Sequence, residues 1–181
     1  MTTDIPTEPP LITPTPGAPA VTRWGLIAYG AAFATLAADQ LSKFWVLNIL
    51  HLQERFTIPI LPVLSLTMVW NRGVSFGLLK ASSLPGRLML AAFAAAVVTA
   101  LALWARTLVR PLTAIALGLV MGGAVGNNLI DRLRFGQVVD FIDVSGLGFF
   151  PWVFNVADSA ISIGVVLLIL DSLLPPAKPK P

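Results

Sequence analysis

Four long apolar stretches set the strongest limit on what this chain of 181 residues can fold into. Each has about 18–23 residues, which matches a bilayer core of about 30 Å at about 1.5 Å of helical rise per residue. Gly122 and Gly123 in the third stretch favour close helix packing. The sequence therefore predicts an α-helical integral membrane protein with four transmembrane helices, at approximately Trp24–Val46, Leu88–Ala105, Leu112–Ile130 and Phe154–Leu174.

The composition excludes several kinds of chemistry. The chain has no cysteine and a single histidine, His51, so disulfides, cysteine nucleophiles and thiolate metal sites are ruled out. His51 lies in a polar patch without a nucleophile motif, which argues against a Ser–His–Asp triad. The net charge is +3, but the basic residues are scattered between the apolar stretches rather than grouped with aromatic residues. We therefore expect no metal, no cofactor and no nucleic-acid partner.

The segments outside the four stretches differ in character. Residues 1–22 are rich in proline and threonine and predict a disordered tail; residues 175–181 form a second tail, and 23–174 form the membrane domain. Residues 48 to about 86 alternate aliphatic and polar side chains around Pro59 and Pro62, which predicts short edge strands in a small β-rich cap. Gly73 and Gly77 indicate a turn or bulge in that cap. Residues 131–153 have the composition of a loop.

Four spans place both termini on one side of the membrane. Arg106 and Arg110 lie in the short loop on the same side, and the positive-inside rule makes that side cytoplasmic. Basic residues also occur on the other side, so the charge bias alone leaves the orientation open. The expected arrangement has two cytoplasmic tails and an extracytoplasmic cap.

Counting residues along the predicted helices brings several polar side chains to a similar depth near the outer end of the bundle. Ionisable groups at membrane depth are costly and usually functional. Two carboxylates that share a proton, Asp140 and Asp158, indicate acid–base hydrolysis with water. The polar set comprises Asp39, Asn128, Arg132, Asp140, Asn155 and Asp158, with Asn71 joining it if the cap folds over the bundle mouth.

Structural roles explain some of the same residues without chemistry. Asn155 followed by Asp158 is typical of a helix N-cap with an acid in the first turn. Asp39 and Lys43 have the i,i+4 spacing of a helical ion pair. Asp140 has a further alternative as a loop clamp to Arg132 or Arg134, and Asp131-Arg132 is also interpreted as a structural pair.

Two classes of function remain open from the residues alone. One is an aspartyl protease, although the Gly-x-Gly-Asp signature of presenilin-type enzymes is absent. The other is a small membrane transporter or accessory subunit whose polar cluster binds a proton or ligand. Transporters usually have broken helices in paired repeats at the midplane, whereas these polar residues gather at one end and no repeat is visible.

Three strings in a fixed order resemble lipoprotein signal peptidase, the type II signal peptidase of bacteria. They are NRGVSFG, GNNLIDRLRFGQVVDFID and FNVADSAI, and the resemblance covers roughly residues 24–174. It implies a monomeric, four-helix aspartyl protease of the bacterial inner membrane, in contact with lipids and with its active site near the periplasmic face. The implied reaction removes the signal peptide of a prolipoprotein just before its diacylglyceryl-modified cysteine. The implied catalytic residues are Asp140 and Asp158, supported by Asp39, Asn71, Asn128, Arg132 and Asn155.

One motif departs from the common family pattern. That pattern reads GGAxGNxxDR, whereas this chain reads GGAVGNNLIDR and has one additional residue before Asp131. Alignment from the Asp-Arg end selects Asn128, because its spacing to Arg132 is kept. Since one residue rotates an α-helix by about 100°, only one asparagine is expected to face the site, and Asn127 is the alternative.

Overall fold

Helices form most of the part of the chain that the computed structural model describes, residues 21–72 and 83–175. Three of them are long and apolar enough to cross a membrane: Leu84–Ala105, Pro111–Phe135 and Val156–Leu173. A fourth long helix, Arg23–Phe44, occupies the first predicted stretch but does not meet that test, and it carries Asp39, Gln40 and Lys43 near its end. The membrane-type helices are thus confirmed, whereas a count of four spans is not established by helix length and composition.

The elements follow one another in a simple order. The helix α1 (Arg23–Phe44) continues into a π-helical turn, Trp45–Ile49, and is followed by the short α2 (Leu52–Arg55), while α3 is Leu84–Ala105 and α6 is Val156–Leu173. The third predicted stretch is a continuous helix whose middle is π-helical: α4 (Pro111–Ala124), a π-helical segment (Val125–Asp131) and α5 (Arg132–Phe135). The four strands are β1 (Thr57–Leu61), β2 (Leu64–Asn71), β3 (Val138–Asp143) and β4 (Val153–Phe154).

Local sequence explains where the long helices begin. Thr22 caps α1 by accepting a hydrogen bond from the backbone N of Gly25 at 3.1 Å, and Ser83 does the same for Gly86 at 3.3 Å. Proline occupies the first turn of α3 and of α4, where its missing N–H costs nothing. Asn155 caps α6.

The helix α4 lies at the centre of the bundle, packed against α1, α3 and α6. Small residues allow this close approach, as the Gly122-Gly123 pair predicted. A Cβ atom on Gly122 would meet the backbone O of Ala32 and lie 2.7 Å from Cβ of Thr35 in α1. A Cβ on Gly123 would lie 2.6 Å from the backbone O of Ala157 in α6. The two glycines therefore let α1 and α6 pack closely on two neighbouring faces of α4.

A four-stranded antiparallel sheet in the order β1-β2-β3-β4 lies at one end of the bundle. The strands β1 and β2 confirm the prediction of short strands within residues 48–86, although Leu52–Arg55 and the residues from Leu84 onward are helical. The prediction of a loop over residues 131–153 is wrong in its middle, because Val138–Asp143 forms β3 and pairs with β2. Since residues 138–141 are all buried, the strand lacks the alternation that identifies a half-exposed strand in sequence.

The sheet is joined to the bundle by an apolar cluster. Val46, at the end of the first helix, packs with Leu52, Val139 and Phe141, and all four are buried. This contact seats β3 on the helix ends, so that the side chain of Asp140 enters the bundle. The expected tail at 1–20, the turn at Gly73 and Gly77 and the tail beyond residue 175 lie outside the described residues.

We expect Gly122→Val to lower the stability of the bundle by about 1–3 kcal/mol, because the added side chain overpacks the contact between α4 and α1. The measurement is the thermal unfolding midpoint of the purified protein in detergent. Gly30→Val is the matched control, since a Cβ atom at Gly30 meets nothing within 4 Å. Equal midpoints for the two variants would contradict the packing role of Gly122.

Candidate active site

Polar side chains converge where the end of α1, the π-helical segment, β3 and the start of α6 meet. Asp140 lies on β3 and Asp158 in the first turn of α6. Asp140 is 1% exposed and Asn155 is completely buried. Asp140, Asn155 and Asp158, which helix lengths placed at a similar depth, are therefore also close to one another laterally.

Asp140 is held by two asparagines. Its Oδ1 accepts a hydrogen bond from Nδ2 of Asn155 at 2.7 Å, and its Oδ2 accepts one from Nδ2 of Asn71 at 2.9 Å. Asn71 comes from β2, where Val69 lies opposite Asp140, so the cap supplies this donor as the sequence indicated. The alternative clamp to Arg132 or Arg134 is not formed in the described part of the chain.

Asp158 and Asn155 form a reciprocal capping box at the start of α6. The backbone N of Asn155 donates to Oδ2 of Asp158 at 3.1 Å, and the backbone N of Asp158 donates to Oδ1 of Asn155 at 2.9 Å. The predicted N-cap is thus confirmed. Because Asn155 also donates to Asp140, one side chain caps the helix and links the two aspartates.

The structure places Asn127, rather than Asn128, against Asp158. Nδ2 of Asn127 donates to Oδ1 of Asp158 at 2.8 Å, and its Oδ1 accepts from Nδ2 of Asn155 at 3.1 Å. Asn128 instead accepts from Nε of Arg132 at 3.1 Å. The selection of Asn128 assumed a regular α-helix, but both asparagines lie in the π-helical segment Val125–Asp131. Its i→i+5 hydrogen bonds accommodate one additional residue in a turn and change which side chain points inward.

A buried cation lies beside these groups. Nζ of Lys43 is 2.8 Å from Oδ2 of Asp39, which confirms the predicted i,i+4 pair, and 2.8 Å from Oδ2 of Asp131. Asp131 therefore pairs with Lys43 across the bundle rather than with the adjacent Arg132. Sequence reasoning missed this second contact because 88 positions separate the two residues. The only local signal was the lysine one helical turn after Asp39.

Arg132 is buried, and its Nη1 atom has no hydrogen-bond partner in the described residues. An open cavity of about 390 Å³ lies beside Asp158 and is lined by Phe150, Phe154, Asp158, Ser159, Ser162 and Ile163. The site thus combines two aspartates, amide donors, a cation and space for a ligand. Within residues 21–72 and 83–175, no three His, Asp or Glu side chains are grouped to hold a metal ion.

Burial raises the pKa of Asp140 to about 6. The hydrogen bond from Asn71 opposes this shift, and the nearby charge of Asp158 adds to it. Asp143 lies three residues after Asp140 on the same strand and shows the opposite shift, because hydrogen bonds from Ser145 and Thr67 lower its pKa. Asp140 is therefore able to hold a proton near neutral pH, whereas Asp143 is not.

Comparison with known proteins gives consistent matches over most of the chain. The family model described as Signal peptidase (SPase) II matches residues 31–174. A Caulobacter vibrioides protein named lipoprotein signal peptidase is 54% identical over 154 residues, covering 85% of this chain and 90% of that protein. A Rhodopseudomonas palustris protein of the same name is 40% identical over 147 residues, covering 79% and 89%.

Two solved structures described as a bacterial membrane enzyme have a similar fold. One, at 2.3 Å resolution, has a TM-score of 0.67 and 28% identity and covers 81% of this chain and 87% of its own. The other, at 1.9 Å resolution, has a TM-score of 0.68 and 28% identity and covers 81% and 92%. The helices and the small sheet together therefore match an enzyme architecture of membranes.

We expect one carboxyl group of the protein to titrate near pH 6, being protonated below that pH and ionised above it, because burial disfavours the charge on Asp140. The measurement is ¹³C NMR of the protein labelled at aspartate carboxyls in detergent micelles. The signal should disappear in Asp140→Asn and remain in the matched control Asp143→Asn. Its persistence in Asp140→Asn would contradict the assignment.

Proposed function

This chain belongs to the signal peptidase II family of aspartic peptidases, which act on prolipoproteins, and we propose that Asp140 and Asp158 are its catalytic dyad. The proposed reaction cuts the signal peptide from the protein just before the diacylglyceryl-modified cysteine. The observation that carries the dyad assignment is Asn155, whose side chain donates to Asp140 and whose backbone N donates to Asp158. Two carboxylates linked through one residue are close enough to influence each other's protonation.

One proton shared by the pair fits the environment of both aspartates. Two neighbouring carboxylates in a poorly hydrated pocket do not both ionise easily, so they titrate as a pair. Asp140 is almost fully buried, and its pKa, raised to about 6, keeps its proton to a higher pH than that of an ordinary aspartate. One protonated and one ionised carboxyl group is the state that acid–base hydrolysis requires.

The reaction then proceeds by attack of water on the scissile carbonyl carbon. The ionised aspartate takes a proton from the water as its oxygen bonds to the carbon, and the protonated aspartate donates to the developing oxyanion. When the C–N bond breaks, a carboxyl group returns a proton to the leaving nitrogen. The products are a signal peptide with a free carboxylate and a lipoprotein whose modified cysteine has a free amino group.

Neighbouring groups are suited to hold the substrate. The cavity beside Asp158 has aromatic walls from Phe150 and Phe154, which suit an apolar peptide segment. Nη1 of Arg132, which has no partner among residues 21–72 and 83–175, is suited to donate to a substrate carbonyl. Asn71 reaches the dyad from the cap, so the peptide is proposed to enter between the cap and the bundle, with the acyl chains of the substrate lying against lipid.

We propose four spans, with α1 as the first, in the bacterial inner membrane. The polar residues near the end of α1 face the bundle rather than lipid, since Asp39 and Lys43 are buried, and this supports a span despite its lower hydropathy. Both termini are then cytoplasmic, and the dyad and the sheet lie near the periplasmic face. The enzyme is proposed to act as a monomer among membrane lipids, without metal, cofactor or nucleic acid.

Asp140→Asn and Asp158→Asn are each expected to reduce cleavage to below about a tenth of the wild-type rate, because each removes a group that transfers a proton. The assay uses purified protein in lipid vesicles and a lipobox peptide with a diacylglyceryl-modified cysteine. Asp143→Asn is the matched control on the same strand and should remain active. Retention of a tenth or more of the rate by a folded Asp140→Asn or Asp158→Asn variant would refute the dyad.

Asn127→Ala is expected to lower kcat/KM by roughly 10–100-fold, because a hydrogen bond to a charged group contributes about 1.5–3 kcal/mol. Asn128→Ala, the adjacent comparison, removes a hydrogen bond to Arg132 rather than one to a dyad carboxylate, and it is expected to lower kcat/KM by less than Asn127→Ala does. The same cleavage assay measures both. A larger loss in Asn128→Ala would contradict the placement of Asn127 against Asp158.

A further inference from the structure

Lys43 makes three close contacts although only 2% of it is exposed. Its Nζ lies 2.8 Å from Oδ2 of Asp39, 2.8 Å from Oδ2 of Asp131 and 2.7 Å from Oδ1 of Asn127. A lysine ammonium has three N–H donors and no acceptor. Two of the donors form hydrogen bonds, to Asp39 and Asn127, and the ammonium also forms an ion pair with Asp131, so Lys43 is engaged within the protein.

The two carboxylates that Lys43 binds reach the backbone beside each dyad residue. Oδ1 of Asp39 accepts from the backbone N of Ala157, the residue before Asp158, at 3.1 Å. Oδ2 of Asp131 accepts from the backbone N of Val139, the residue before Asp140, at 3.1 Å. The backbone positions that carry the dyad, one on a helix and one on a strand, are thus both connected to one ammonium group.

The third contact of Lys43 determines how an amide is oriented. Because an ammonium only donates, Asn127 must present its Oδ1 to Lys43. Its Nδ2 then faces Oδ1 of Asp158, to which it donates at 2.8 Å. Lys43, together with Nδ2 of Asn155, therefore orients Asn127 so that Asp158 receives a donor at this oxygen, in addition to the backbone N of Asn155 at the other oxygen.

We propose that Lys43 is a positioning residue, which sets the separation and orientation of Asp140 and Asp158 through Asp39, Asp131 and Asn127. The inference rests on the proposed function, because it assigns Lys43 a role in the chemistry of that dyad. If Lys43 only neutralised the nearby carboxylates, any cation at this position would serve. Positioning requires the three-point geometry of an ammonium, and the planar, longer guanidinium of arginine does not reproduce it.

The test compares Lys43→Arg with the wild type in the same vesicle assay of a diacylglyceryl-modified lipobox peptide. We expect kcat to fall by about 100-fold or more, which is the cost of misplacing reacting groups by about 1 Å. KM should change by less than about threefold, because substrate binding is not altered. The thermal midpoint should stay within about 4 °C of wild type, which is the shift that a small change in stability causes in a domain of this size.

A control at the other end of the bundle separates positioning from general stability. Arg110 is 3.1 Å from Asp171 in an ion pair that is remote from the dyad. Arg110→Met removes this pair and should leave kcat unchanged, whatever its effect on the thermal midpoint. A loss of kcat in Arg110→Met equal to that in Lys43→Arg would attribute both losses to stability and overturn the proposal.

A second variant covers the case in which Lys43→Arg does not fold. Lys43→Met combined with Asp131→Asn removes the cation together with one carboxylate, so the formal charge of the Asp39, Lys43 and Asp131 group stays at −1. It should fold and show the same selective loss of kcat. Loss of folding in both variants would restrict Lys43 to maintaining the fold and overturn the proposal.

The remaining outcomes are also distinct. Near-wild-type kcat in folded Lys43→Arg would overturn the positioning role while leaving the peptidase assignment intact. Failure of the wild-type protein to cleave the peptide would overturn the proposed function and this inference with it. Cleavage by the wild type separates these two results, and its loss in Asp140→Asn, assayed in parallel, shows that the cleavage comes from the proposed dyad.

Discussion

The burial of carboxylates at one end of an apolar bundle is the constraint on which the rest of this structure depends. Removing an ionised group from water costs several kcal/mol per ion unless charges and hydrogen bonds replace the lost hydration. Asp39, Asp131 and Asp140 are all buried, and Asp158 lies beside them. The described residues meet this demand with one ammonium, the side-chain amides of three asparagines and of Gln40, and backbone N–H groups. These donors come from α1, the π-helical segment, β2, β3 and α6, so satisfying the carboxylates also joins the cap to the bundle.

The π-helical segment sets which asparagine faces the site. Its wider turn, with i→i+5 hydrogen bonds over residues Val125–Asp131, points different side chains inward than a regular α-helix would. Gly122 packs on α1 before the segment, and Asp131 reaches Lys43 after it. The local consequence is that Asn127 contacts Asp158.

Much of this arrangement was predictable from sequence because it depends on local rules. Apolar length and capping residues located the long helices to within a few positions, and Asn155 with Asp158 had the signature of an N-cap. Ordered motifs singled out Asp140 and Asp158 for a shared role. Helix counting indicated only that these residues lie at a similar depth. In the structure, Asn155 contacts both aspartates and Asn71 contacts Asp140.

The features that sequence reasoning missed arise from tertiary context. The first four residues of β3 are all buried, so its pattern lacks the alternation that marks a half-exposed strand. The side of the helix that Asn128 occupies was inferred from a regular α-helical rotation, which a π-helical turn does not follow. The contact between Lys43 and Asp131 joins distant helices, and no spacing rule along the chain reports it.

Asn155 carries a consequence for how this site can evolve. The residues that commonly cap helices are Ser, Thr, Asp and Asn. Asp lacks a donor for Asp140, while the single hydroxyl of Ser or Thr is too short and has one hydrogen to share. The amide is the one group among them that accepts from the helix and donates to both Asn127 and the opposite carboxylate. Each substitution of Asn155 therefore uncaps α6 or leaves Asp140 without its donor, so the start of this helix and the buried carboxylate cannot be altered independently of each other.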